Sequence, residues 1–168
     1  MPSKGKRDRK NLTKPKPSSR SKRTGGAGGN TSRTKAPPKR TLVKRLDSIF
    51  SQFIRLRAVD ETGHGNCYTC GSRRHFSEVH CGHFMSRACM STRWEPTNCA
   101  FQCARCNCFR SGEQYIFGQN LDRDHGEGTA ERLHIESKKT KRWTSAELQD
   151  MCHHYKRRVD ELKRQKGL

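Results

Sequence analysis

The stretch that decides the fold is "VHCGHFMSRACMSTRWEPTNCAFQCARCNCFRSG", residues 79–112, near the middle of the chain. It concentrates six cysteines, two histidines and two asparagines. Thiolates and imidazoles are the ligands that zinc prefers, whereas imidazoles and amide oxygens also suit other divalent cations. The stretch therefore forms either a structural zinc site alone or a zinc site that supports a second, reactive cation.

This stretch contains a C-x-x-C pair, Cys103 and Cys106, and 32 residues separate it from an upstream pair, Cys67 and Cys70. Two intervening residues let both sulfurs of a pair converge on one ion, and two pairs complete a tetrahedron. The separation exceeds the about 15–20 residues of simple zinc ribbons, so further structure is inserted between the pairs. We predict a structural zinc ion held by these four cysteines.

The chain has nine cysteines, an odd number, and no secretion signal accompanies them. A disulfide framework is therefore a poor explanation, and metal binding in a reducing compartment is a better one. We expect the five cysteines outside the two pairs to be small buried or half-buried side chains rather than ligands. They are Cys81, Cys89, Cys99, Cys108 and Cys152.

Composition narrows the possible partners. At 168 residues the chain allows one domain and a tail, and its hydrophobic fraction of 30% predicts a small core. Lys and Arg number 36 against 16 Asp and Glu, which gives a net charge of +20 and favours a nucleic-acid partner over an anionic membrane surface. No apolar run approaches the about 20 residues of a membrane-spanning helix, so we expect a soluble, intracellular protein with no membrane partner.

Residues 1–40 contain 14 Lys or Arg and one acid, hence +13 of the total +20. Gly, Ser, Pro and Thr fill most of the remainder and no aromatic residue occurs, so we expect a disordered basic arm. Such an arm displaces counterions from phosphates and gives sequence-independent affinity for nucleic acid. A solubilising tail or a targeting signal is the alternative.

Amphipathic helices are predicted on both sides of the cysteine-rich region. Apolar residues recur at helical spacing over 42–56, which predicts a helix over 41–58. Thr144 and Glu147 form a capping-box pattern that predicts a last helix over 144–165. The apolar stripes of both helices either pack in the core of a monomer or supply the interface of a homodimer.

Residues 64–121 form the predicted zinc and catalytic core of the domain 41–168. The segment "EVHCGHF", 78–84, is a candidate strand. The segments "EQYIFGQNL", 113–121, and "TAERLHIES", 129–137, predict short helices separated by a break. We therefore expect an α+β fold.

A second cation for phosphodiester chemistry needs imidazole, carboxylate, amide oxygen or water as ligands, and hydrolysis needs a base such as histidine. The insert offers His80, His83 and Asn98, and Asn107 directly follows the second cysteine pair. In an extended strand His80 and His83 point to opposite faces, so they need not share a role. Alternatively, His80 and His83 belong to a further metal-binding pair, after the two cysteine pairs, or are two surface histidines. The cations expected to hold phosphates near the insert are Arg87, Arg93, Arg105 and Arg110.

A set of motifs carries a family resemblance: "CYTC", "GHF-SR", "RW", the single Asn98, "QC-RCN", "SG--Y" and the closing "RWTSAEL" to "YKRRVDEL". Their order and spacing resemble the phage lambda NinG/Rap recombination proteins, which belong to the wider HNH, or ββα-metal, group of treble-clef nucleases. The resemblance covers about residues 41–165 and is expected to leave the basic arm 1–40 outside.

The resemblance implies a structure-selective DNA endonuclease that acts on branched recombination intermediates, Holliday junctions and D-loops, with Mg²⁺ or Mn²⁺. It assigns His83 as the general base, Asn98 as the residue that orients His83, and Asn107 as a ligand of the catalytic cation. It further implies a zinc-stabilised treble-clef core flanked by amphipathic helices, in a phage-encoded or prophage-encoded protein of the bacterial cytoplasm.

This chain departs from the family pattern at three positions. Gly82 stands where HNH nucleases usually have an acid or histidine ligand, and His80 stands where the lambda-type pattern has aspartate. Arg110 replaces a family lysine. Imidazole ligates Mn²⁺ more readily than Mg²⁺, so His80 as a cation ligand predicts a preference for softer cations. The alternative function is a non-catalytic zinc-ribbon protein that binds branched or single-stranded DNA.

Overall fold

The structure is a computed structural model that describes residues 37–168. The predicted basic arm, 1–40, lies outside the described residues except for its last four. The described part is a mixed α+β domain with two antiparallel two-stranded sheets. Its helices are α1 Lys39–Arg57, α2 Gln114–His125, α3 Thr129–Ser137 and α4 Ser145–Lys166. Its strands are β1 His64–Asn66, β2 Arg73–His75, β3 Val79–His83 and β4 Cys99–Cys103.

Helices α1 and α4 pack against each other along their apolar stripes. Leu46 of α1 and Leu148 of α4 are fully buried in the core between them, and each such side chain contributes about 1.5–3 kcal/mol. Phe50 meets Tyr155 edge to face, with ring centroids 4.9 Å apart. The two stripes are therefore used within one chain, and a homodimer built on them stays a prediction.

The start of α4 follows the predicted pattern. Thr144 Oγ1 accepts the N–H of Glu147 at 3.2 Å, and the Glu147 carboxylate accepts the N–H of Thr144 at 2.7 Å. This reciprocal pair satisfies two of the N–H groups that a helix start leaves without partners. The capping box thus begins α4 at the predicted place.

The sheet β3–β4 carries the central stretch. Its register pairs Val79 with Cys103 and His83 with Cys99, so β3 and β4 run antiparallel. We call the pair Cys67 and Cys70 the first knuckle and the pair Cys103 and Cys106 the second knuckle; β4 ends at the first cysteine of the second knuckle. Every residue of β4 is buried, whereas His80 of β3 is exposed. The sheet therefore has the second knuckle at one end and the loop after His83 at the other.

Helices α2 and α3 cover β4 from a second side. Phe117 and Leu121 of α2 and Leu133 of α3 are fully buried against Ala100 of β4. Helix α2 extends to His125, further than predicted, and the break is confined to the short link that precedes α3. Within 37–168, none of the helices has the length and apolarity needed to span a membrane.

Candidate metal centre and adjoining groove

The four knuckle cysteines converge as predicted. The Sγ atoms of Cys67, Cys70, Cys103 and Cys106 all lie within 4.8 Å of one another, and those of Cys70 and Cys103 are 3.9 Å apart. Four thiolates about 2.3 Å from a zinc ion in a tetrahedron stand about 3.8 Å apart. The arrangement therefore fits a metal ion such as zinc, held in a closed four-sulfur site.

Backbone hydrogen bonds shape the first knuckle. The N–H of Gly71 donates to the carbonyl of Cys67 at 2.8 Å, and the N–H of Cys67 donates to the carbonyl of Ser72 at 2.9 Å. Gly71 adopts a φ of +70°, a conformation that a side chain would strain. The turn aims both sulfurs of the pair at the same point.

The surroundings shift the pKa values of two of the four thiols in opposite directions. The Ser72 hydroxyl, 3.2 Å from Cys70 Sγ, is the main group that lowers the pKa of Cys70 to about 6. Burial raises the pKa of Cys106 to about 12. An ion at this site therefore competes with protons, as metal binding by thiolates generally does.

A groove of about 760 Å³ lies beside the knuckle. It is bounded by α1, β3, the loop after β3 and the segment that follows the second knuckle. Polar side chains that line it include His80, His83, Arg87, Asn107, Ser111 and Gln114. The groove thus gathers three of the residues that the sequence singles out for chemistry.

His80 and Asn107 lie next to each other at the groove. Asn107 belongs to a π-helical turn, Arg105–Phe109, that begins within the second knuckle and includes Cys106. The Nδ2 of Asn107 is 3.0 Å from His80 Nδ1. Cys108 Sγ is 3.4 Å from the same nitrogen. Cys108 is exposed, so the expectation of a buried or half-buried side chain is wrong there.

His83 occupies the opposite face of β3, as strand alternation predicts. Its Nδ1 is 3.2 Å from the carbonyl oxygen of Cys81, and its Nε2 is 3.1 Å from that of Arg93. Burial lowers the pKa of His83, against the opposing effect of the two carbonyls, so the imidazole is neutral near pH 7. A neutral ring has one N–H, so one nitrogen donates to a carbonyl and the other keeps a lone pair.

Asn98 is fully buried and holds the loop that follows His83. Its Oδ1 accepts the N–H of Met85 at 2.7 Å, and its Nδ2 donates to the carbonyls of Met85 at 2.9 Å and Thr92 at 3.0 Å. These bonds satisfy the amide and tie together both ends of the loop. Asn98 therefore acts on the groove through the backbone rather than by contact with a bound molecule.

The four arginines expected to hold phosphates differ in availability. Arg87 is exposed at the groove and Arg105 is exposed on the π-helical turn. Arg110 pairs with Glu113 at 2.7 Å while remaining half exposed. The Arg93 guanidinium donates to both carboxylate oxygens of Asp47, at 2.9 and 2.6 Å, so it chiefly joins the loop to α1.

Sequence reasoning missed three contributions to this region. Asp47 binds Arg93 and also accepts the indole N–H of Trp94 at 3.0 Å, a contact across 47 positions. Cys81 and Cys99 meet beside His83. Phe109 is 84% exposed, between groove residues Asn107 and Ser111 in sequence. The sequence could have indicated Phe109 as a binding residue, because it is an aromatic residue between the basic residues Arg105 and Arg110. The contacts of Asp47 and of the two cysteines could not be predicted, because they depend on the fold.

The fold and site define a small α+β domain with a cysteine cluster that could hold a metal ion such as zinc. The chain belongs to the family described as "NinG: Bacteriophage Lambda NinG protein", which matches residues 2–165. Because the match begins at residue 2, the expectation that the basic segment 1–40 lies outside the family is wrong. A search of curated proteins and a search of solved structures found no match to this chain.

Proposed function

We propose that this protein is a metal-dependent endonuclease for branched DNA, with an HNH-like site built on a treble-clef zinc knuckle. The observation that carries the proposal is that His80, His83 and Asn107 all line one groove beside four cysteines arranged for a metal ion. Membership of a phage lambda protein family agrees with a role in phage recombination. Holliday junctions and D-loops are the proposed substrates.

His83 is the proposed general base. Its neutral form, favoured by burial, can accept the proton of an attacking water at the nitrogen that does not donate to a carbonyl. Donation from the other nitrogen to the backbone holds the ring and its tautomer. Asn98 supports this geometry because it holds the loop that contains Arg93, whose carbonyl faces the ring.

His80 and Asn107 are the proposed ligands of the catalytic cation. A half-turn of the Asn107 amide places its oxygen where Nδ2 lies, 3.0 Å from His80 Nδ1. Adjacent ligands of an octahedral cation at about 2.1 Å stand about 3.0 Å apart, so the spacing fits Mg²⁺ or Mn²⁺. When bound, such a cation stabilises the charge on the phosphate and its leaving oxygen.

The DNA surface proposed here combines cations with an aromatic side chain. Arg87 at the groove, Arg105 on the neighbouring turn and Arg110 directly after that turn can contact phosphates. Phe109, on the same turn, presents a ring that can stack on an unpaired base. A D-loop offers both features together, because its displaced strand has unpaired bases beside the phosphates of a duplex.

A non-catalytic zinc-ribbon protein that binds branched or single-stranded DNA is the second candidate. The observation that favours it is the enclosure of His83, whose two nitrogens both face carbonyl oxygens within 3.2 Å. Asp47, the single acid among the groove residues of the described part, is engaged by Arg93 and Trp94. Both features reduce the number of groups free for catalysis.

Cleavage of a labelled four-way junction and its matched linear duplex tests the proposal, with Mg²⁺, Mn²⁺ or EDTA. We expect junction-selective, EDTA-sensitive cleavage by the wild type. His83→Ala is expected to lower the rate by about 10²–10⁴, with zinc content and junction affinity unchanged.

His153→Ala is the matched control, since His153 is exposed on α4 away from the groove. It should cut like the wild type. Tight junction binding without cutting by zinc-loaded wild type under every cation would instead support the binding protein.

A further inference from the structure

A second group of metal-binding side chains lies beside the groove, apart from the knuckle cysteines. The ligand atoms of Cys81, His83 and Cys99 all lie within 4.8 Å of one another. The register of β3 and β4 explains this convergence, because His83 is paired directly with Cys99 and Cys81 precedes His83 by two residues on the same face. Three donors from two strands therefore meet on one face of the sheet.

The donor set has the chemistry of a zinc site. Two thiols and one imidazole are ligands that zinc and other soft cations bind, whereas Mg²⁺ prefers oxygen. Cys99 is 1% exposed, but Cys81 and His83 line the groove, so an ion can enter from that side. The groove side also leaves room for a fourth ligand, such as water.

The surroundings suit such an ion in two further respects. One nitrogen of His83 donates to a backbone carbonyl, the usual partner of the non-ligating nitrogen in metal-bound histidines. The other nitrogen carries a lone pair, which an ion would take in place of the contact with the second carbonyl. Arg57 donates to the carbonyl of Cys99 at 2.7 Å and so places a positive charge near the two sulfurs, while burial raises the pKa of the Cys99 thiol.

We propose that Cys81, His83 and Cys99 form a second site for a soft divalent cation, zinc above all, and that filling this site inhibits the protein. On binding, the two thiol protons pass to solvent and two thiolates neutralise the charge of the ion. The ion also takes the lone pair that His83 needs to accept a proton from water. The inhibitory consequence rests on the proposed function, whereas the binding of zinc does not.

Zinc content per chain tests the site. Wild type, Cys81→Ser, Cys99→Ser and the control Cys89→Ser are equilibrated with excess zinc, freed of unbound metal and assayed for zinc by elemental analysis. Cys89 is half-buried and belongs to neither cysteine group, which makes it a matched control. We expect two zinc ions per chain in wild type and Cys89→Ser, and one in each of the other variants.

Circular dichroism checks that each variant is folded. Because Cys99 is buried, Cys99→Ser could fail to fold, and the half-buried Cys81→Ser then still tests the site. Cobalt substitution gives an independent signal, because the thiolate-to-cobalt absorption should be weaker in Cys81→Ser than in wild type. One zinc ion in the wild type, or two in both folded serine variants, would overturn the site.

Cleavage rates then test inhibition. At free zinc ten times its dissociation constant from the second site, wild-type cleavage should fall about elevenfold by mass action, while Cys81→Ser should resist. Equal inhibition of both proteins would overturn the inhibitory role. If the wild type cuts no DNA under any cation, the proposed nuclease function fails, but the zinc counts still decide whether the site exists.

Discussion

Gly82 lies so close to Gln102 that a Cβ at residue 82 would stand 2.1 Å from Gln102 Oε1. Gln102 is fully buried, and its Nε2 donates to Thr69 Oγ1 at 3.2 Å and to the carbonyl of Gly112 at 2.7 Å. The Gln102 side chain thus ties the first cysteine knuckle to the loop at the groove, and it leaves space only for glycine at residue 82. This contact leaves no room for a side chain at the position before His83.

Gly82→Ala is expected to destabilise the domain by about 1–3 kcal/mol, because the added methyl group overpacks a buried contact. The free energy of unfolding, taken from urea denaturation of the zinc-loaded protein, measures the effect. Gln102→Ala should be destabilising alone but should relieve the clash, so the double variant loses less than the sum of the single losses. Strict additivity would contradict a direct contact between residues 82 and 102.

Local periodicity predicts some parts of this fold well. The spacing of apolar residues and the Thr144 capping box locate α1 and α4, and strand alternation places His80 and His83 on opposite faces. Long-range contacts escape such reasoning, since the bond from Arg93 to Asp47 spans 46 positions. The contact between Cys81 and Cys99 likewise depends on the register of β3 and β4. The sequence does not specify this register, because a long segment rather than a tight turn joins the two strands.

Glu147→Gln tests the electrostatic part of the α4 cap. Bonds from the N–H and hydroxyl of Thr144 lower the pKa of Glu147 below its usual 4.5, so the stabilisation is fully present above that value. It is lost as pH falls through the lowered folded pKa. We therefore expect the wild type to melt higher than the variant at pH 7, and the difference to shrink below pH 4.5. A difference independent of pH would exclude the carboxylate charge as its cause.

Chelation of zinc should unfold the sheets and the groove before the helix pair. The core between α1 and α4 contains none of the four knuckle cysteines, whereas β4 ends in one of them. Hydrogen exchange after chelation is expected to show lost protection in β3 and β4 and retained protection in α1 and α4. Cys103→Ser should reproduce this pattern and Cys89→Ser should not. Uniform loss of protection would indicate a single cooperative unit.

Phe109→Ala tests the stacking surface. The ring is 84% exposed, so its removal should not affect folding, but it should weaken binding to DNA with unpaired bases by about 1–3 kcal/mol, or about 5–150-fold. Affinity for linear duplex should be unchanged. Fluorescence titration with a base analogue at a junction reports both binding and stacking. Ile135→Ala, which removes a 56% exposed side chain from α3, is the control and should bind both DNAs like the wild type.

His80→Asp tests the cation ligands. His80 Nδ1 lies 3.0 Å from the Asn107 amide, and an imidazole there favours Mn²⁺ over Mg²⁺. A carboxylate at residue 80 is a harder ligand, so the ratio of the Mn²⁺-dependent to the Mg²⁺-dependent cleavage rate should fall about tenfold, equivalent to about 1.4 kcal/mol. Junction cleavage across a range of each cation gives the ratio. His134→Asp is the control, because it adds the same charge on α3 outside the groove and should leave the ratio unchanged. Equal ratios in wild type and His80→Asp would show that His80 is not a ligand of the cation.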